Sequence, residues 1–594
     1  MAKSAAKEGR LYLWYRLTYR CNAQSVPPRQ RQHTVPVSDR DQQGVHLLLS
    51  RLAVSLILII AESGLLLIGF AVPVGTCFAQ EGPPQDVVRL PSVPNPPQPG
   101  LDANATSDQK VPKLPEPGAA AKPEAGSKGD QAESATKEKK EKEKDKEEDK
   151  DKKDNEDEKA APQCSNFHAQ ATTVAQGDPG FPAQYSGPNS LNPAGERQGT
   201  VAADLFAGIR LWHGAEMHAD ALMWQGFGLS NTFGVEDFPS GDAFKIGTEI
   251  PDFMLARWFV RQTFGFGGEQ EDVPDGQLTL RGKQDISRLT LTVGRFTPTD
   301  VFDNNSYAHD AHTQFLNWAA VANLAWDYPA DSIGFTTGIS LELNQPQWAL
   351  RYGWFQMPGE MNGLTAEDQI FCWPGSGSDG NFWRSWGMMT EFERRYKLDE
   401  HPGALRLMAW LDSADFASFA VATPILIANP PTPPIPPGAG ITIPPEAFAY
   451  RYKYGFGINW EQELSKTVGV FSRVGWNDGH EAAWTYTDAN WSVSWGASIK
   501  GARWHRPDDT VGVLGVVSGA SPEQIAFLKA GGTGILNGDG NLTYSPEKAL
   551  ELYYDFPIGK TAHFALDYQF VGDPAFNADR GPVSIFGVRL HWEE

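Results

Sequence analysis

Arginines recur at alternate positions of several segments, and they are the side chains best suited to bind hydroxyl groups. Arg257 and Arg261 share one face of their segment with Phe259. The opposite face carries Trp258 and Val260. Side chains two apart in an extended chain point to the same side, so the two guanidinium groups offer several rigid donors along one face. The same alternation places further charges on the polar faces of their segments: Arg288, Glu342, Arg351, Arg406, Arg473, Asp555, Asp567 and Arg589.

Charges of both signs on these polar faces can act in two ways. Along a narrow passage they order water and hydroxyl groups without strongly favouring one ion. Their alternative role is structural, because neighbouring arginines and carboxylates pair and hold adjacent strands together. The pattern leaves both roles open for any single residue. Trp410, on the polar face of the segment ALRLMAWLD, adds a ring that is suited to stacking on a ligand.

A Trp-rich segment, FLNWAAVANLAWDYPAD, interrupts this alternation at 315–331. Phe315, Trp318 and Ala322 have helical spacing, and the tail DYPAD is typical of a turn. A loop this apolar is not expected to lie in water, so it should tuck into or across its surroundings. The side chains that it and its approach would offer to a ligand are Asn304, Asn305, Asn317, Trp318, Trp326, Asp327 and Tyr328. The alternative is that the aromatic rings only pack the loop against its neighbours.

The remaining residue types argue against a catalytic, metal or cofactor site. The four cysteines, at 21, 77, 164 and 372, form no CxxC, and no His/Cys spacing fits a zinc site. The histidines show no nucleophile elbow or paired motif, so we predict no enzyme activity and no cofactor. The first 163 residues are balanced in charge, which leaves the whole net charge of −22 in 164–594 and argues against nucleic acid as a partner.

Alternating apolar and polar residues predict the elements that carry these side chains. In ANWSVSWGASIKG, ALELYYDF and AHFALDYQF, every second residue is apolar or aromatic. Strands of a soluble sandwich are usually about five or six residues long. These segments run to about ten residues and have aromatics near their ends, which is typical of a transmembrane barrel.

Connections between the segments mostly alternate between short and long. Short ones occur at 213–216, 344–347, 398–403, 464–469 and 557–560. Long ones occur near 177–199, 228–252, 297–332, 358–386, 415–446, 519–546 and 572–580. This alternation is typical of periplasmic turns and extracellular loops, and it predicts an all-β, antiparallel barrel of about 16 strands. Two places fit poorly: 266–287 is too long for a turn, and 477–483 is too short for a loop.

The first 163 residues are expected to lie outside the barrel. Residues 1–79 end in an apolar run and Cys77-Phe78-Ala79, a pattern that predicts a signal peptide cleaved after Ala79. The alternative is a retained membrane anchor, which Glu62 within the apolar run disfavours. Residues 80–163 form a disordered spacer, first Pro-rich and then Lys/Glu-rich, with 22 charged residues among the 23 of 137–159. The barrel domain is predicted to span 164–594.

The final segment, SIFGVRLHWEE, resembles a strand that closes an outer-membrane barrel. Phe586, Val588, Leu590 and Trp592 lie on one face, with an aromatic close to the C-terminus. Such a strand is what the barrel-assembly machinery is expected to recognise. The alternative is an ordinary edge strand.

Four stretches resemble the carbohydrate-selective porin family, OprB type. They are ATTVAQGDPGFPAQYSGPNSL, RLTLTVGRFTPTDVFDNNSYAHDAHTQFLNWAAVANLAWDYPAD, LNQPQWALRYGWF and LDYQFVGDPAFNADRGPVSIFGVRLH. The resemblance covers about 164–594 and implies a monomer-scale, sixteen-stranded barrel in the bacterial outer membrane. The chain departs from the family in its charged spacer and in the insert NPPTPPIPPGAGITIPP at 429–445, which leaves the shape of the outer mouth open.

The family resemblance implies passive diffusion of small sugars into the periplasm of a Gram-negative bacterium. Sugar rings offer C–H patches to aromatics and hydroxyls to amide, carboxylate and guanidinium groups. The alternative is a structural or adhesive barrel tethered through the charged spacer. Such a barrel should be plugged by bulky side chains, whereas several segments here place Ser, Gly and Thr on the inner face. The expected partners are small sugars, outer-membrane lipid and the assembly machinery, with the chain a monomer or a weak oligomer.

Overall fold

The computed structural model describes residues 162–243, 247–363, 384–430 and 442–594. The predicted leader and nearly all of the predicted spacer lie outside the described residues. So does most of the Pro-rich insert, of which 431–441 are not described.

Within these ranges sixteen antiparallel strands form one closed barrel, which confirms the predicted fold class. Each strand pairs with its neighbour in the chain, except that β4 pairs with β7, because β5 and β6 form a separate two-stranded sheet. The first strand pairs with the last, from Gln170 opposite Glu593 to Gly177 opposite Phe586, and so closes the ring. The strands are β1 (Ser165–Asp178), β2 (Glu196–Trp212), β3 (Ala215–Gly226), β4 (Thr248–Gly265), β5 (Gln270–Val273), β6 (Gly282–Asp285), β7 (Arg288–Phe296), β8 (Thr336–Gln345), β9 (Trp348–Gln356), β10 (Trp386–Leu398), β11 (His401–Ala414), β12 (Arg451–Ser465), β13 (Val468–Asn477), β14 (Trp491–Lys500), β15 (Thr510–Gly519), β16 (Glu547–Ile558), β17 (Ala562–Gly572) and β18 (Val583–Glu593).

The outer wall is apolar because every second residue of a strand faces away from the barrel interior. Trp495 on β14 and Phe586 on β18 are 50% and 57% exposed, and both belong to the faces that alternation predicted to be apolar. Polar residues on the same strands, such as Ser494 on β14 and Arg589 on β18, are buried inside. An apolar exterior around a polar interior matches a barrel that is surrounded by lipid.

The connections give the barrel two different ends. At one end, here called the turn end, they are mostly short: 213–214, 346–347, 399–400, 466–467, 501–509 and 559–561, together with the long 266–287. At the other, the loop end, they are long: 179–195, 227–247, 297–335, 357–385, 415–450, 478–490, 520–546 and 573–582. The two places that fitted poorly are thereby explained. The segment 266–287 holds the β5–β6 hairpin, and the loop 478–490 runs further than the sequence indicated.

The described ranges contain three α-helices, all in loops at the loop end: α1 (Trp318–Val321), α2 (Phe419–Ala428) and α3 (Pro522–Lys529). The rings of Phe419 and Phe527 lie 5.1 Å apart and pack α2 against α3. Among the described residues, no helix has the length and apolar character needed to cross a membrane.

The largest buried apolar cluster lies within the barrel, and loop residues supply much of it. Phe315 from the 297–335 loop packs edge-on against Phe471 of β13 and Tyr553 of β16, with ring centroids 5.5 and 4.8 Å away. Burial of such a ring stabilises the arrangement by roughly 1.5–3 kcal/mol. The loop therefore folds inward, as its apolar sequence predicted.

Candidate functional site

The segment 297–335, here called the inserted loop, has defined structure at its start, middle and end. Thr297 and Asp300 cap its first turn reciprocally, the side chain of Asn317 accepts a hydrogen bond from the N–H of Ala319, and α1 follows. Near its end, Asp331 accepts from the N–H of Gly334 at 2.9 Å and pairs with Arg295 at 2.9 Å. These local bonds satisfy polar groups that would be costly to bury alone.

Strands β10, β12 and β13 hold one side of the inserted loop. Glu391 on β10 accepts a hydrogen bond from the N–H of Asp303 at 2.8 Å, and Glu461 on β12 accepts one from the N–H of Ser306 at 2.6 Å. The Nε atom of Arg473 on β13 lies 2.9 Å from Oδ2 of Asp303. Hydrogen bonds to charged groups are stronger than neutral ones, so this wall fixes the loop firmly.

Strands β16 and β18 hold the loop from another part of the wall. Glu551 on β16 accepts hydrogen bonds from the N–H groups of Leu316 and Asn317, at 2.7 and 3.0 Å. Arg589 on β18 donates from Nη1 to the carbonyl oxygen of Ala311 at 2.8 Å. Because the loop leaves β7 and is bound by both groups of strands, it crosses the barrel interior and narrows it.

Glycines on the inner faces of β12 and β13 make room for the loop. A Cβ added at Gly475 would clash with the side chain of Asn323, and one added at Gly457 would lie 2.9 Å from its Nδ2. A Cβ at Gly469 would clash with the ring of Tyr307. These positions therefore admit the loop only because they lack side chains.

Aromatic rings from three loops stack together where sequence analysis placed candidate ligand-binding rings. Trp318 stacks on Phe238 at 5.0 Å and on Tyr486 at 5.3 Å. Tyr328 stacks on Tyr486 at 4.2 Å, and Trp326 lies 5.2 Å from Tyr328. Trp318 is 8% exposed, whereas Trp326 is 1% exposed. Trp326 therefore does not present its ring to an open passage, and packing, the alternative left open by the sequence, describes its position.

Three further candidates also lie in buried packing. Asn317 caps α1, and Asp327 lies 3.1 Å from Nζ of Lys453, both with exposures of 2% or less. The ring of Trp410 lies close over Gly455, where an added Cβ would be 2.5 Å from its Cζ2 atom. All three side chains are buried, so contact with a passing ligand stays a prediction for them.

Arg257 is held by two carboxylates and a ring. Its Nη1 donates to Asp220 at 2.7 Å, and its Nε and Nη2 donate to the two oxygens of Asp300 at 2.9 and 3.0 Å. Its guanidinium carbon lies 5.0 Å from the ring centroid of Phe335. A bidentate pair and a cation–π contact together fix the plane of the guanidinium group.

Arg261 is held more loosely on the same face of β4. Its Nη1 donates to Glu216 at 3.1 Å and to the carbonyl oxygen of Leu278 at 2.9 Å. Its guanidinium carbon lies 5.1 Å from the ring of Phe259, the residue between the two arginines. Both arginines face inward, as alternation indicated.

Charged residues on β8 to β12 form a connected network along the wall. Arg351 bonds Glu342 at 2.7 Å and also bonds Glu393 at 3.0 Å. Arg406 bonds Glu393 at 2.8 Å and Glu461 at 3.3 Å. On β16, Asp555 accepts from Arg589 at 3.4 Å. Glu342, Arg351 and Arg406 thus pair across neighbouring strands, and Asp555 pairs across the intervening β17. This is the structural role that the sequence left open for each.

Exposure separates the inward charges into two groups. The side chains of Arg257, Arg261 and Glu342 keep 16%, 26% and 24% of their surface accessible. Those of Arg473 and Arg589 keep 2% and 1%. Inward charges beside β4 and β8, the strands that flank β7, therefore remain partly accessible from the barrel interior.

Sequence analysis missed the carboxylates that hold the arginines and the loop. Those on strands follow the same alternation, whereas Asp300 and Asp303 lie in the inserted loop, and nothing local marks any of them as partners. They are Glu216, Asp220, Asp300, Asp303, Glu391, Glu393, Glu461 and Glu551. Across the described ranges, no group of three or more His, Cys, Asp or Glu side chains is arranged to hold a metal ion.

His312 ties the inserted loop to the neighbouring 227–247 loop. Its Nδ1 lies 3.2 Å from Asp310 and its Nε2 lies 3.4 Å from Asp242, while its ring stacks on His591 at 5.8 Å. Burial lowers the pKa of His312, but the attraction of Asp310 and the bond to Asp242 outweigh it, so the pKa lies well above the usual value. The imidazolium form therefore bridges the two loops.

The sequence pattern described as "Carbohydrate-selective porin, OprB family" matches residues 188–593. No curated protein matches the chain. Among solved structures, OprB of Pseudomonas putida is 15% identical over 73% of this chain and 94% of its own length, with a TM-score of 0.51, and supports the fold alone. OccK2 (OpdF) of Pseudomonas aeruginosa is 8% identical over 72% of this chain and 97% of its own length, with a TM-score of 0.36. OccK11 (OpdR) of the same organism is 9% identical over 73% of this chain and 98% of its own length, with a TM-score of 0.34. Because the family match covers more than half of the chain, this protein belongs to the carbohydrate-selective porin family and is an outer-membrane porin, a channel rather than an enzyme.

Proposed function

We propose that the porin lets small neutral sugars diffuse passively across the outer membrane, along the accessible face beside β4 and β8. The observation that carries this proposal is the pair of inward arginines on β4, each held in place yet still partly exposed. Arg257 and Arg261 keep 16% and 26% of their side-chain surface accessible. A sugar that passes them meets donors whose direction is already fixed.

Donors that are already fixed favour sugar binding, because most of the conformational entropy of these side chains has been lost on folding and is not lost again on binding. The planar fork of Arg257 is aligned by Asp300 and backed by the Phe335 ring. Guanidinium groups and carboxylates bind hydroxyls as donors and acceptors respectively, so adjacent hydroxyls on one sugar can use both. The ring faces of Phe335 and Phe259 lie next to these groups and suit the C–H patches of a pyranose.

The local charge balance explains why a neutral solute is favoured over an ion. Arg257 and Arg261 face Asp220, Asp300 and Glu216, so the cations and anions of the passage nearly cancel. Paired charges leave strong local dipoles but only a weak net field. Sugars interact with local dipoles, whereas ions respond to the net field.

The inserted loop sets the size limit in this proposal. It crosses the interior and is bound by β10, β12, β13, β16 and β18, so the passage is confined to the remaining side of the barrel. Loops folded into large barrels narrow the lumen in this way.

The proposed route to this location is signal-directed export followed by recognition of the C-terminal strand by the barrel-assembly machinery. The basis is the apolar leader segment before Ala79 and the aromatic, alternating β18. The single chain closes its own barrel, so a monomer, or a weak oligomer in outer-membrane lipid, is sufficient for transport.

Ion-current recording in planar bilayers tests this function. Glucose added on one side of a single inserted channel is expected to reduce the current in a saturable way, because a bound sugar occupies the conducting path. Sorbitol, an acyclic polyol of similar size, serves as the control. A current that glucose leaves unchanged, or that sorbitol reduces equally, would count against selective sugar binding.

A further inference from the structure

The connection between β4 and β7 is much longer than most others at the turn end, which in porins faces the periplasm. It contains the β5–β6 hairpin, paired from Gln270 opposite Asp285 to Val273 opposite Gly282. The residues 274–281 join these two short strands and are called the hairpin tip. A two-residue turn would have been enough to connect two neighbouring antiparallel strands, so the additional chain requires an explanation.

The hairpin tip bends back against the inner face of β1. The Nδ2 atom of Asn166 lies 2.8 Å from Oδ1 of Asp275 and 2.9 Å from the carbonyl oxygens of both Gly276 and Thr279. Asn166 shares its face of β1 with Gln170, which is buried. The tip is therefore bound by side chains that point into the barrel.

Two further bonds hold the tip along the inner wall between β1 and β4. Gln277 donates from Nε2 to Oε1 of Gln170 at 2.8 Å. Arg261 on β4 donates from Nη1 to the carbonyl oxygen of Leu278 at 2.9 Å. Leu278 packs against the buried apolar cluster of the interior, and Leu280 is 2% exposed. The tip thus runs inside the barrel from β1 to β4, beneath the same arginine that lines the proposed sugar path.

The wall is shaped to accept this arrangement. A Cβ added at Gly208 on β2 would clash with Oδ1 of Asn166 and would lie 2.9 Å from the ring of His218. Only glycine leaves room there for the amide that holds the tip.

The tip also brings a negative charge to the mouth. Burial raises the pKa of Asp275, but hydrogen bonds from Asn166, Gln163 and His168 outweigh it, so the pKa lies below its usual value. Asp275 therefore stays ionised at the periplasmic opening.

We propose that the hairpin tip forms a second constriction at the periplasmic end, in series with the inserted loop, and that Asn166 is its positioning residue. The proposal rests on the porin function and deepens it, because a sugar that leaves Arg261 next meets the polar groups of Gln277 and Asp275. Two narrow segments in series add their resistances, so widening either one raises the conductance of the whole channel.

Trimming the tip tests the constriction. Residues 274–281 are replaced by Asn-Gly, which closes the hairpin between Val273 and Gly282 with a two-residue turn. We expect higher single-channel conductance and faster permeation of disaccharides relative to monosaccharides. Lys283→Ala on β6, with 61% of its side chain exposed, is the matched control and should behave as the parent.

A point variant guards against misfolding of the trimmed chain. Asn166→Ala removes the bonds to three acceptors of the tip, so current fluctuations and mean conductance should increase, whereas Thr173→Ala on the outer face of β1 should change neither. The second constriction would be refuted if the trimmed and the Asn166→Ala channels both kept the parental conductance. If glucose still blocked the current in that case, the sugar path itself would stand. If glucose did not block the parent channel, the proposed function would be refuted. The comparison of conductance between the parent and the trimmed channel would still test the constriction.

Discussion

Arg257 and Arg261 lie on one strand, yet their guanidinium groups are held to different degrees. Arg257 uses Nε, Nη1 and Nη2 to bind two carboxylates, whereas Arg261 binds its two partners through Nη1 alone. Arg257 therefore acts as a fixed element of the wall. Arg261, which is also the more exposed, is the more accessible of the two to a passing hydroxyl.

Replacing both arginines separates charge from hydrogen-bond geometry. In the Arg257→Ala/Arg261→Ala variant, loss of a hydrogen bond from a charged group corresponds to about 1.5–3 kcal/mol, so glucose block should weaken by roughly tenfold or more. Selectivity should also shift toward cations, because two positive charges leave the wall. The double Lys variant keeps the charge and should retain ion selectivity while glucose block still falls. Parental block and selectivity in the double Ala channel would make both arginines structural.

The bridge at His312 should make the loops sensitive to alkaline pH. Because the pKa of His312 is raised on folding, its stabilising contribution is complete below the ordinary value of about 6.5 and is lost as pH rises through the folded value. The difference in melting temperature between the parent and His312→Gln, measured in detergent, should therefore be larger at about pH 6 than at about pH 10. In an Asp310→Asn background, the difference between the values at about pH 6 and about pH 10 should be smaller. If the difference in melting temperature between the parent and His312→Gln did not change with pH, His312 would not bridge the loops as a cation.

At the scale of elements, the inserted loop owes its position to glycines and to carboxylates on distant strands. Gly475 provides the space that Asn323 occupies, and the backbone of Leu316 and Asn317 is bound by Glu551. Two features therefore determine the position of the inserted loop: its own apolar residues, and the glycines and carboxylates of the barrel wall that contact it.

Filling that space should displace the loop without disturbing the outer wall. Gly475→Val puts a branched side chain where Asn323 lies, so conductance should rise and size exclusion should become less sharp. Val474→Leu, one residue away and facing outward, is the control. Deletion of Thr313–Trp326 should have the same effect more strongly. Unchanged conductance in both folded variants would place the loop outside the conducting path.

The sequence predicted the strands and their faces well because alternation is a local property. Trp495, Phe586, Arg257 and Arg261 all face as the period of two indicated. Contacts across the interior are different, since Leu316 and Glu551 are 235 positions apart and no local pattern joins them. The barrel could therefore be predicted from the sequence, but the arrangement of side chains and loops in its interior could not.

Small inward residues gave a misleading indication of open space. From the sequence, serine and glycine on the inner face of strands such as β14 indicate an unplugged lumen. In the structure, a Cβ at Gly496 would clash with the ring of Phe471, and one at Gly512 would clash with the ring of Tyr553. Their small size therefore serves packing on that side of the barrel.

At the scale of the whole molecule, the barrel and the preceding segment should respond differently to proteolysis. A balanced, highly charged segment such as 137–159 offers little apolar surface and is expected to be cleaved readily, whereas the barrel strands are fully paired. Protease treatment in detergent should trim the chain to about residue 163 and leave the rest intact, as mass spectrometry of the product can show. Cleavage throughout 164–594 of the folded protein would argue against this division.

The central claim concerns what passes through the channel, and swelling of proteoliposomes measures it most directly. Purified full-length porin is reconstituted, and swelling rates are compared in isosmotic monosaccharides, disaccharides, amino acids and salts of similar size. Because the passage is lined by nearly balanced, fixed charges, monosaccharides should enter faster than amino acids or salts, and disaccharides more slowly than monosaccharides. Rates that follow solute size alone, with no advantage for sugars, would contradict the account.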